Sequence, residues 1–473
     1  MAEETNNGMK NNYTPVLQLQ GSKLRGARVT QLKNHFVIKY KEEPEFFVRV
    51  PGRVNLIGEH VDYCGYSVLP MAIQYDIMLA VKPVSVPKLQ LTNTDSSHSD
   101  FQCDVNSLSI EVKKGVSPPW HSYFLCGLKG VLEVLPQDSV GMLVAVTGNV
   151  PLSAGLSSSS ALVSAAALAA AHANMLKMTK LEIASLSASS ERYIGTQGGG
   201  MDQAIAFLGT KGCAKHIQFN PLLSEDVKLP DGAVFVIAHS LAVLNKAKTS
   251  DFNCRVAECH LAAQIMAKKR GLSWEKVSSL ADLQSAVSAS LVEMVDLVKE
   301  LLHEEPYSKE EICGELEVSE GFLDQLSLSS NTTHISHFKL HQRALHVYQE
   351  ANRVRAFQEV CQNETVSSLA LMKLGELMRE SHESLKNLYE CSHPNLDKLV
   401  YLGEGRALGS RLTGAGWGGC IVALTTKDTV SDYINTLKEK FYKGNPAAVG
   451  KDLDSLVFAT EPNTGAEIYK LEQ

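Results

Sequence analysis

Four segments of this 473-residue chain place charged or hydroxyl side chains among glycines. The first runs from Pro51 to Gly65 and carries Arg53, Glu59, His60 and Asp62 around Gly52 and Gly58. Carboxylates and an imidazole offer acceptors and donors at fixed angles, which suits recognition of a ligand with several hydroxyl groups. The same residues are also compatible with an ordinary turn in which Glu59 and Asp62 cap a helix and Arg53 makes an ion pair.

The second segment, Gly155-Leu156 followed by Ser157, Ser158, Ser159, Ser160 and Ala161, opens into an alanine-rich stretch of high helix propensity. Backbone N–H groups, hydroxyls and the positive end of a helix dipole meet there, an arrangement that favours phosphate. No lysine follows the glycine, which argues against a P-loop NTPase fold. A single serine would serve as a plain helix cap, and here there are four in a row. The third segment, Gly198-Gly199-Gly200-Met201-Asp202, puts an acid after glycines that let backbone approach a ligand, although an N-capped helix can begin in the same way. The fourth, Gly409 to Cys420, is dense enough in glycine to line a cleft or to form an anion nest, or to let a helix and a strand touch.

The elements that must position these segments follow from apolar periodicity. Phe46, Val48 and Val50 alternate as on a strand with one buried face, and Ile77–Val81 and Met142–Val146 form further short apolar runs. The spacing of Leu291, Met294, Val295, Val298, Leu301 and Leu302 is helical, and a second helix is predicted over Arg343–Cys361. The last hundred residues read as a glycine-rich turn, a strand at Cys420–Thr425, a helix over Tyr433–Tyr442 and a strand near Leu456–Thr460. Two α+β halves around a helical insertion result.

Composition excludes several classes. A net charge of −7 with a pI near 6.1, and a basic cluster no larger than Lys268-Lys269-Arg270, lack the electrostatic footprint of a nucleic-acid binder. The polar start of the chain does not resemble a secretion signal, and Ala161–Leu176 is too short and too interrupted to span a bilayer. A cytoplasmic monomer with reduced cysteines and no membrane partner is expected. The ten cysteines show no C-x-x-C pair or zinc pattern.

At these four segments, in this order, the chain resembles the galactokinase branch of the GHMP kinases over nearly its whole length. That resemblance implies an N-terminal domain like the second domain of ribosomal protein S5 (residues 1–225) and a ferredoxin-like C-terminal domain (226–473) with a helical insertion over about 260–395. It implies ATP and Mg2+ as cofactors and transfer of phosphate to the anomeric hydroxyl of a galactose-type sugar. Carried over by residue, Asp202 is the general base and Arg53 the cation beside the attacking hydroxyl, while Glu59, His60 and Asp62 hold the other hydroxyls. Gly155, Ser157 and Ser158 cradle the phosphates, Ser159 and Glu191 bind magnesium, and Trp120 and Tyr123 flank the adenine.

Departures from the usual pattern bear on the sugar. Tyr63-Cys64-Gly65, Phe252 at a position that commonly holds tyrosine, and the three glycines before Met201 resemble a subgroup acting on N-acetylgalactosamine. Loss of a hydroxyl near C2 would leave room for an acetamido group. Asn245-Lys246 also resembles that subgroup and is expected to reach the nucleotide. The implied activity is therefore phosphorylation of N-acetylgalactosamine, with weaker action on galactose. The alternatives are an ordinary galactokinase and a silent sugar and ATP sensor that regulates a partner protein.

Overall fold

The computed structural model describes residues 12–19, 26–112, 116–136, 138–151, 154–242, 250–328 and 331–471. Its first sheet has seven strands in the order β1-β15-β2-β3-β6-β4-β5. They are β1 (Val16–Leu19), β2 (Phe46–Asn55), β3 (Pro70–Val84), β4 (Lys88–Asn93), β5 (Phe101–Asp104), β6 (Gly141–Gly148) and β15 (Glu467–Leu471). The final strand thus returns to the first sheet, where it lies parallel to β1 and antiparallel to β2.

Both faces of this sheet are covered. Phe46, Val48 and Val50 pack with helices α2 (Trp120–Val134) and α3 (Ser158–Ala173), whereas Phe47, Met78 and Ala145 pack under α1 (Ala27–Tyr40). The expected half-buried alternation in β2 is therefore replaced by burial at nearly every position, as a central strand with two covered faces requires. The strand also runs further than expected. Pro51 to Asn55, read as a turn, continues β2 through a register shift at Gly52, so Arg53 projects from a strand. Gly52 is needed there because a Cβ would lie 2.7 Å from the Leu156 carbonyl oxygen.

The alanines of α3 have a packing reason. Twelve of its residues are buried between the sheet and neighbouring helices, and a Cβ at Gly127 of α2 would fall 2.1 Å from the Val163 oxygen. Small side chains on both helices permit that approach. Helices α4 (Lys180–Ser190) and α5 (Met201–Leu208) complete this layer, followed by the hairpin of β7 (Cys213–Gln218) and β8 (Leu223–Lys228).

The second sheet is antiparallel, in the order β12-β13-β9-β14, from β9 (Ala233–His239), β12 (Gly409–Thr413), β13 (Cys420–Thr426) and β14 (Val457–Thr460). Gly409 to Thr413, read as part of a glycine-rich turn, forms a fully buried strand that pairs with β13.

Between the strands of this sheet lie α6 (Asp251–Lys269), α7 (Leu280–Val287), α8 (Leu291–Leu301), α9 (Lys309–Leu316), α10 (Glu320–Leu326), α11 (Leu340–Asn363), α12 (Ser367–Asn387) and α13 (Pro394–Gly403), with a two-residue ladder of β10 (Tyr307–Ser308) and β11 (His337–Phe338). Of the apolar stripe on α8, Met294 and Val298 are fully buried. After β13 come α14 (Val430–Leu437), which widens into a π turn over Lys438–Tyr442 where one continuous helix was expected, and the short α15 (Leu453–Leu456). All ten cysteines are free thiols, and among the described residues no helix is long and apolar enough to cross a membrane.

Candidate active site

Three of the four glycine-rich segments meet backbone to backbone at the junction of the two sheets. Arg53 N–H donates to the Leu156 carbonyl at 3.1 Å. A Cβ at Gly414 would lie 2.7 Å from the Gly155 oxygen, and one at Gly155 would lie 3.0 Å from the Thr413 oxygen. Both glycines have positive φ, +83° and +71°, so they answer a close approach and a left-handed backbone together.

Arg53, Glu59, His60, Asp62, Glu191 and Asp202 line one cleft. Arg53 is 2% exposed. Its Nε and Nη2 contact Asp202 Oδ1 at 2.8 and 2.7 Å, and its Nη1 donates to the Gly155 carbonyl. On the far side of Asp202, the Ser160 hydroxyl lies 3.3 Å from Oδ2 and donates to Glu191 at 2.9 Å. Gln203 donates to the same Glu191 carboxylate. The serine beside the carboxylates is therefore Ser160. Ser159 sits one residue earlier on α3, about 100° around the helix.

Ser157 precedes α3 as its N-cap residue, with φ +62° and no capping hydrogen bond, and among the described residues its buried hydroxyl has no hydrogen-bond partner. Ser158 is the first residue of that helix. A buried orphan hydroxyl beside left-handed backbone at a helix start fits a phosphate oxygen as its missing partner. The donors around Ser160, two carboxylates and a hydroxyl, are all oxygen, which fits a magnesium ion that keeps several waters and phosphate oxygens as its other ligands. Among the described residues no cluster of three or more His, Cys, Asp or Glu could form an all-protein metal cage.

Glu59 is 2% exposed and its Oε1 accepts from Thr413 Oγ at 3.1 Å and Gly414 N–H at 2.7 Å, which ties the first motif to the fourth. His60 has a left-handed backbone, φ +62°, uncommon for a residue with a side chain. Its Nε2 faces the Ala415 carbonyl at 3.0 Å and its Nδ1 faces the Tyr63 hydroxyl at 2.8 Å. A carbonyl only accepts, so Nε2 carries the proton; with the ring neutral, Nδ1 accepts from Tyr63. Tyr63 in turn meets the Tyr389 hydroxyl at 2.6 Å, and Cys259 lies 3.3 Å from that hydroxyl. Burial pushes both phenols well above their usual range, so this chain stays protonated.

Asp62 lies against Gly199, where a Cβ would fall 2.6 Å from the Asp62 Cγ, so the middle glycine of the third motif makes way for the acid. Phe252 lines the cleft with its ring centroid 5.6 Å from those of both His60 and Tyr63. A second hollow shares Asp62, Tyr63 and Gly198 to Gly200 with the cleft. Trp120 and Tyr123 do not line either space. Trp120 donates to the Ser99 carbonyl at 2.9 Å, and Tyr123 packs beside Cys126, Val163 and Ile194 next to α3. Asn245 and Lys246 lie outside the described residues.

The chain matches a model of the galactokinase galactose-binding signature over residues 34–83, and models of the GHMP kinase N-terminal domain over 122–210 and C-terminal domain over 366–443. A galactokinase of Dictyostelium discoideum is 39% identical, covering 90% of each chain. This chain belongs to the galactokinase family of GHMP kinases. A galactokinase of Saccharomyces cerevisiae is 34% identical, covering 92% of this chain and 93% of its own. The fold matches that of a Lactococcus lactis galactokinase solved with galactose, with a TM-score of 0.73 and 24% identity over 93% of this chain and 99% of that one. It also matches the Methanococcus jannaschii mevalonate kinase, with a TM-score of 0.51 and 18% identity over 89% and 99%. The chain is a sugar kinase with the two-domain α+β fold of this family.

Several residues around the site escaped sequence reasoning. Ser160 was overshadowed by three identical neighbours. Glu350, His346 and Arg411 lie on elements far along the chain, and an acid or imidazole on a helix ordinarily reads as part of a solvated face. The signal in Arg411 was its place among glycines, one residue before the fully buried Leu412.

Proposed function

We propose that this chain transfers the γ-phosphate of ATP to the anomeric hydroxyl of galactose. The observation that carries the proposal is the contact of Arg53 with Asp202 beside the Ser160–Glu191 pair, a carboxylate and a cation next to the head of α3. The galactokinase relatives support galactose as the sugar.

In this reading Asp202 accepts the proton from the anomeric hydroxyl as that oxygen attacks phosphorus. Arg53 orients Asp202 and offsets negative charge on the attacking oxygen. Asp62 takes a sugar hydroxyl. Glu59, held by Thr413 and Gly414, and His60, held by Tyr63 and Ala415, fix the wall around it. Gly155, Ser157 and Ser158 cradle the nucleotide phosphates. Ser160 and Glu191 hold magnesium, which neutralises charge on the phosphate oxygens when bound. Trp120 and Tyr123 belong to the adenine side, with Asn245 and Lys246 in reach of the nucleotide. The division between domains is set near residue 225, within β8, with β15 returning from the second part of the chain to the first sheet.

N-acetylgalactosamine is a second reading, favoured by Phe252 and by the hollow that shares Asp62, Tyr63 and Gly198 to Gly200 with the cleft. A ring without a hydroxyl and open space beyond the glycines suit an acetamido group at C2. ADP release with ATP, Mg2+ and either sugar decides between them. Higher kcat/KM for galactose supports the first reading and higher kcat/KM for N-acetylgalactosamine the second. Binding of both ligands without turnover would make the protein a sensor.

A further inference from the structure

The sugar signature faces the cleft on one side, and on the other it is gripped by the helical insertion. Two side chains one turn apart on α11, His346 and Glu350, reach the backbone of Gly58 and Glu59. Glu350 Oε1 accepts from Gly58 N–H at 2.9 Å and Glu59 N–H at 3.3 Å. His346 Nε2 donates to the Glu59 carbonyl at 3.1 Å, and its Nδ1 accepts from the Ser384 hydroxyl at 2.8 Å. Val354, one turn further on, sits where a Cβ at Gly58 would lie 2.7 Å from its Cγ2.

These groups form a buried polar network. Glu350 and His346 are both 0% exposed. Glu350 Oε1 also accepts from Ser381 at 2.7 Å, and Oε2 accepts from Arg353 at 2.7 Å. Arg411 donates to Ser381 at 3.0 Å and to the Asn55 carbonyl at 3.0 Å, and approaches Glu59 Oε1 at 3.6 Å. Burial alone would raise the Glu350 carboxyl, but Arg353 and Arg411 outweigh it and hold the group down at about 2, so it remains a carboxylate. A buried ionic network is a costly way to satisfy two loop N–H groups that water could serve. The cost is set beneath the residues that face the cleft.

We propose that Glu350 and His346 are positioning residues of the sugar site, clamping the Gly58–His60 backbone so that Glu59 meets Gly414 and Asp62 enters the cleft. The proposal rests on the reading that Asp62 takes a sugar hydroxyl within a wall fixed by Glu59 and His60. Ser381 and Arg411 extend the clamp to β12, so the insertion joins the first and fourth motifs.

Steady-state kinetics of wild type, Glu350→Ala, Glu350→Gln, His346→Leu and Ser381→Ala, with galactose and ATP varied separately and melting temperatures measured, test it. Loss of hydrogen bonds to a charged group corresponds to roughly 10–100-fold. The expected result is a sugar KM raised by about that factor in Glu350→Ala and by roughly tenfold in His346→Leu, with the ATP KM little changed. Glu350→Gln, which keeps an oxygen acceptor for both N–H groups, recovers much of the sugar KM. Lower melting temperature and lower active fraction with an unchanged sugar KM would overturn the proposal. If Glu350→Ala does not fold, His346→Leu and Ser381→Ala decide by the same criterion. A wild-type protein that phosphorylates neither galactose nor N-acetylgalactosamine would instead remove the reading beneath the proposal.

Discussion

Arg53 grips Asp202 by one oxygen: its Nε and Nη2 both contact Oδ1, while Oδ2 lies beside the Ser160 hydroxyl. The carboxylate is thereby oriented between a strand residue of the first motif and a helix residue of the second. An acid held in this way has one edge for the guanidinium and another for chemistry.

Asp202→Ala and Asp202→Asn should keep nucleotide binding and lose turnover by ~10²–10⁴-fold, the usual contribution of a positioned general base. Calorimetric titration of ATP alongside ADP release measures both. Near-normal turnover in either variant would take Asp202 out of the mechanism.

Ser160 and Ser159 make a paired test. Ser160→Ala removes the hydroxyl that joins Glu191 to Asp202, so the Mg2+ concentration for half-maximal rate should rise by roughly tenfold and kcat should fall, since charge-assisted hydrogen bonds of this kind contribute ~1.5–3 kcal/mol. Ser159→Ala should move that concentration far less. The reverse order would return the magnesium role to Ser159.

Gly199→Ala forces a Cβ to 2.5 Å from the backbone of Asp62 and Tyr63. These are backbone atoms that cannot rotate away, so the cleft wall must shift. The sugar KM should rise by at least about tenfold, in line with what a small misplacement costs a recognition site. Among the described residues Gly195→Ala would meet nothing within 4 Å, but its φ of +84° adds strain, so Gly198, open among those residues and without positive φ, is the control position. Equal sugar KM values for Gly198→Ala and Gly199→Ala would argue against a tight Asp62 wall.

Acid stability follows from buried imidazoles. Burial lowers His346 and His239 from 6.5 to about 4, so between those values an unfolded chain binds protons that the native one excludes. Stability is full above about pH 6.5 and falls as pH drops toward 4, by up to ~1.4 kcal/mol per unit for each histidine. Below about 4.5 the loss continues as Glu350, held at about 2, resists a proton that an unfolded glutamate accepts. Urea midpoints at pH 7.5, 5.5 and 4.5 should decline in that order, and His346→Leu should flatten the upper part of the decline. A midpoint independent of pH would contradict neutral burial of these rings.

Much of the site was legible because its chemistry is local in sequence. Arg53 to Asp62 is one short segment, and Gly198 to Asp202 another, and the structure gathers both into one cleft. What could not be read was whatever depends on distant pairing. The buried strand at Gly409–Thr413 looks like a loop because glycine weakens every strand signal, and it becomes a strand only when β13 supplies partners. The continuation of β2 through Pro51 and Gly52 was hidden for the same reason. The clamp on Gly58 was invisible because His346 and Glu350 at helical spacing resemble any polar helix face until the partner backbone is known.

The return of Glu467–Leu471 to the first sheet also bears on how the protein is made. That strand sits between β1 and β2, so β1 has no neighbour in the sheet until it arrives. On a ribosome β1 therefore waits for Glu467–Leu471 to emerge. The amino-terminal layer can collapse around α3, but its edge closes only after the whole of the intervening chain has been synthesised, a long-range pairing of the kind that slows folding and prolongs exposure of an unpaired β edge. Removing this strand should leave nascent chains that hold their core yet depend on chaperones to keep that edge from pairing with another molecule.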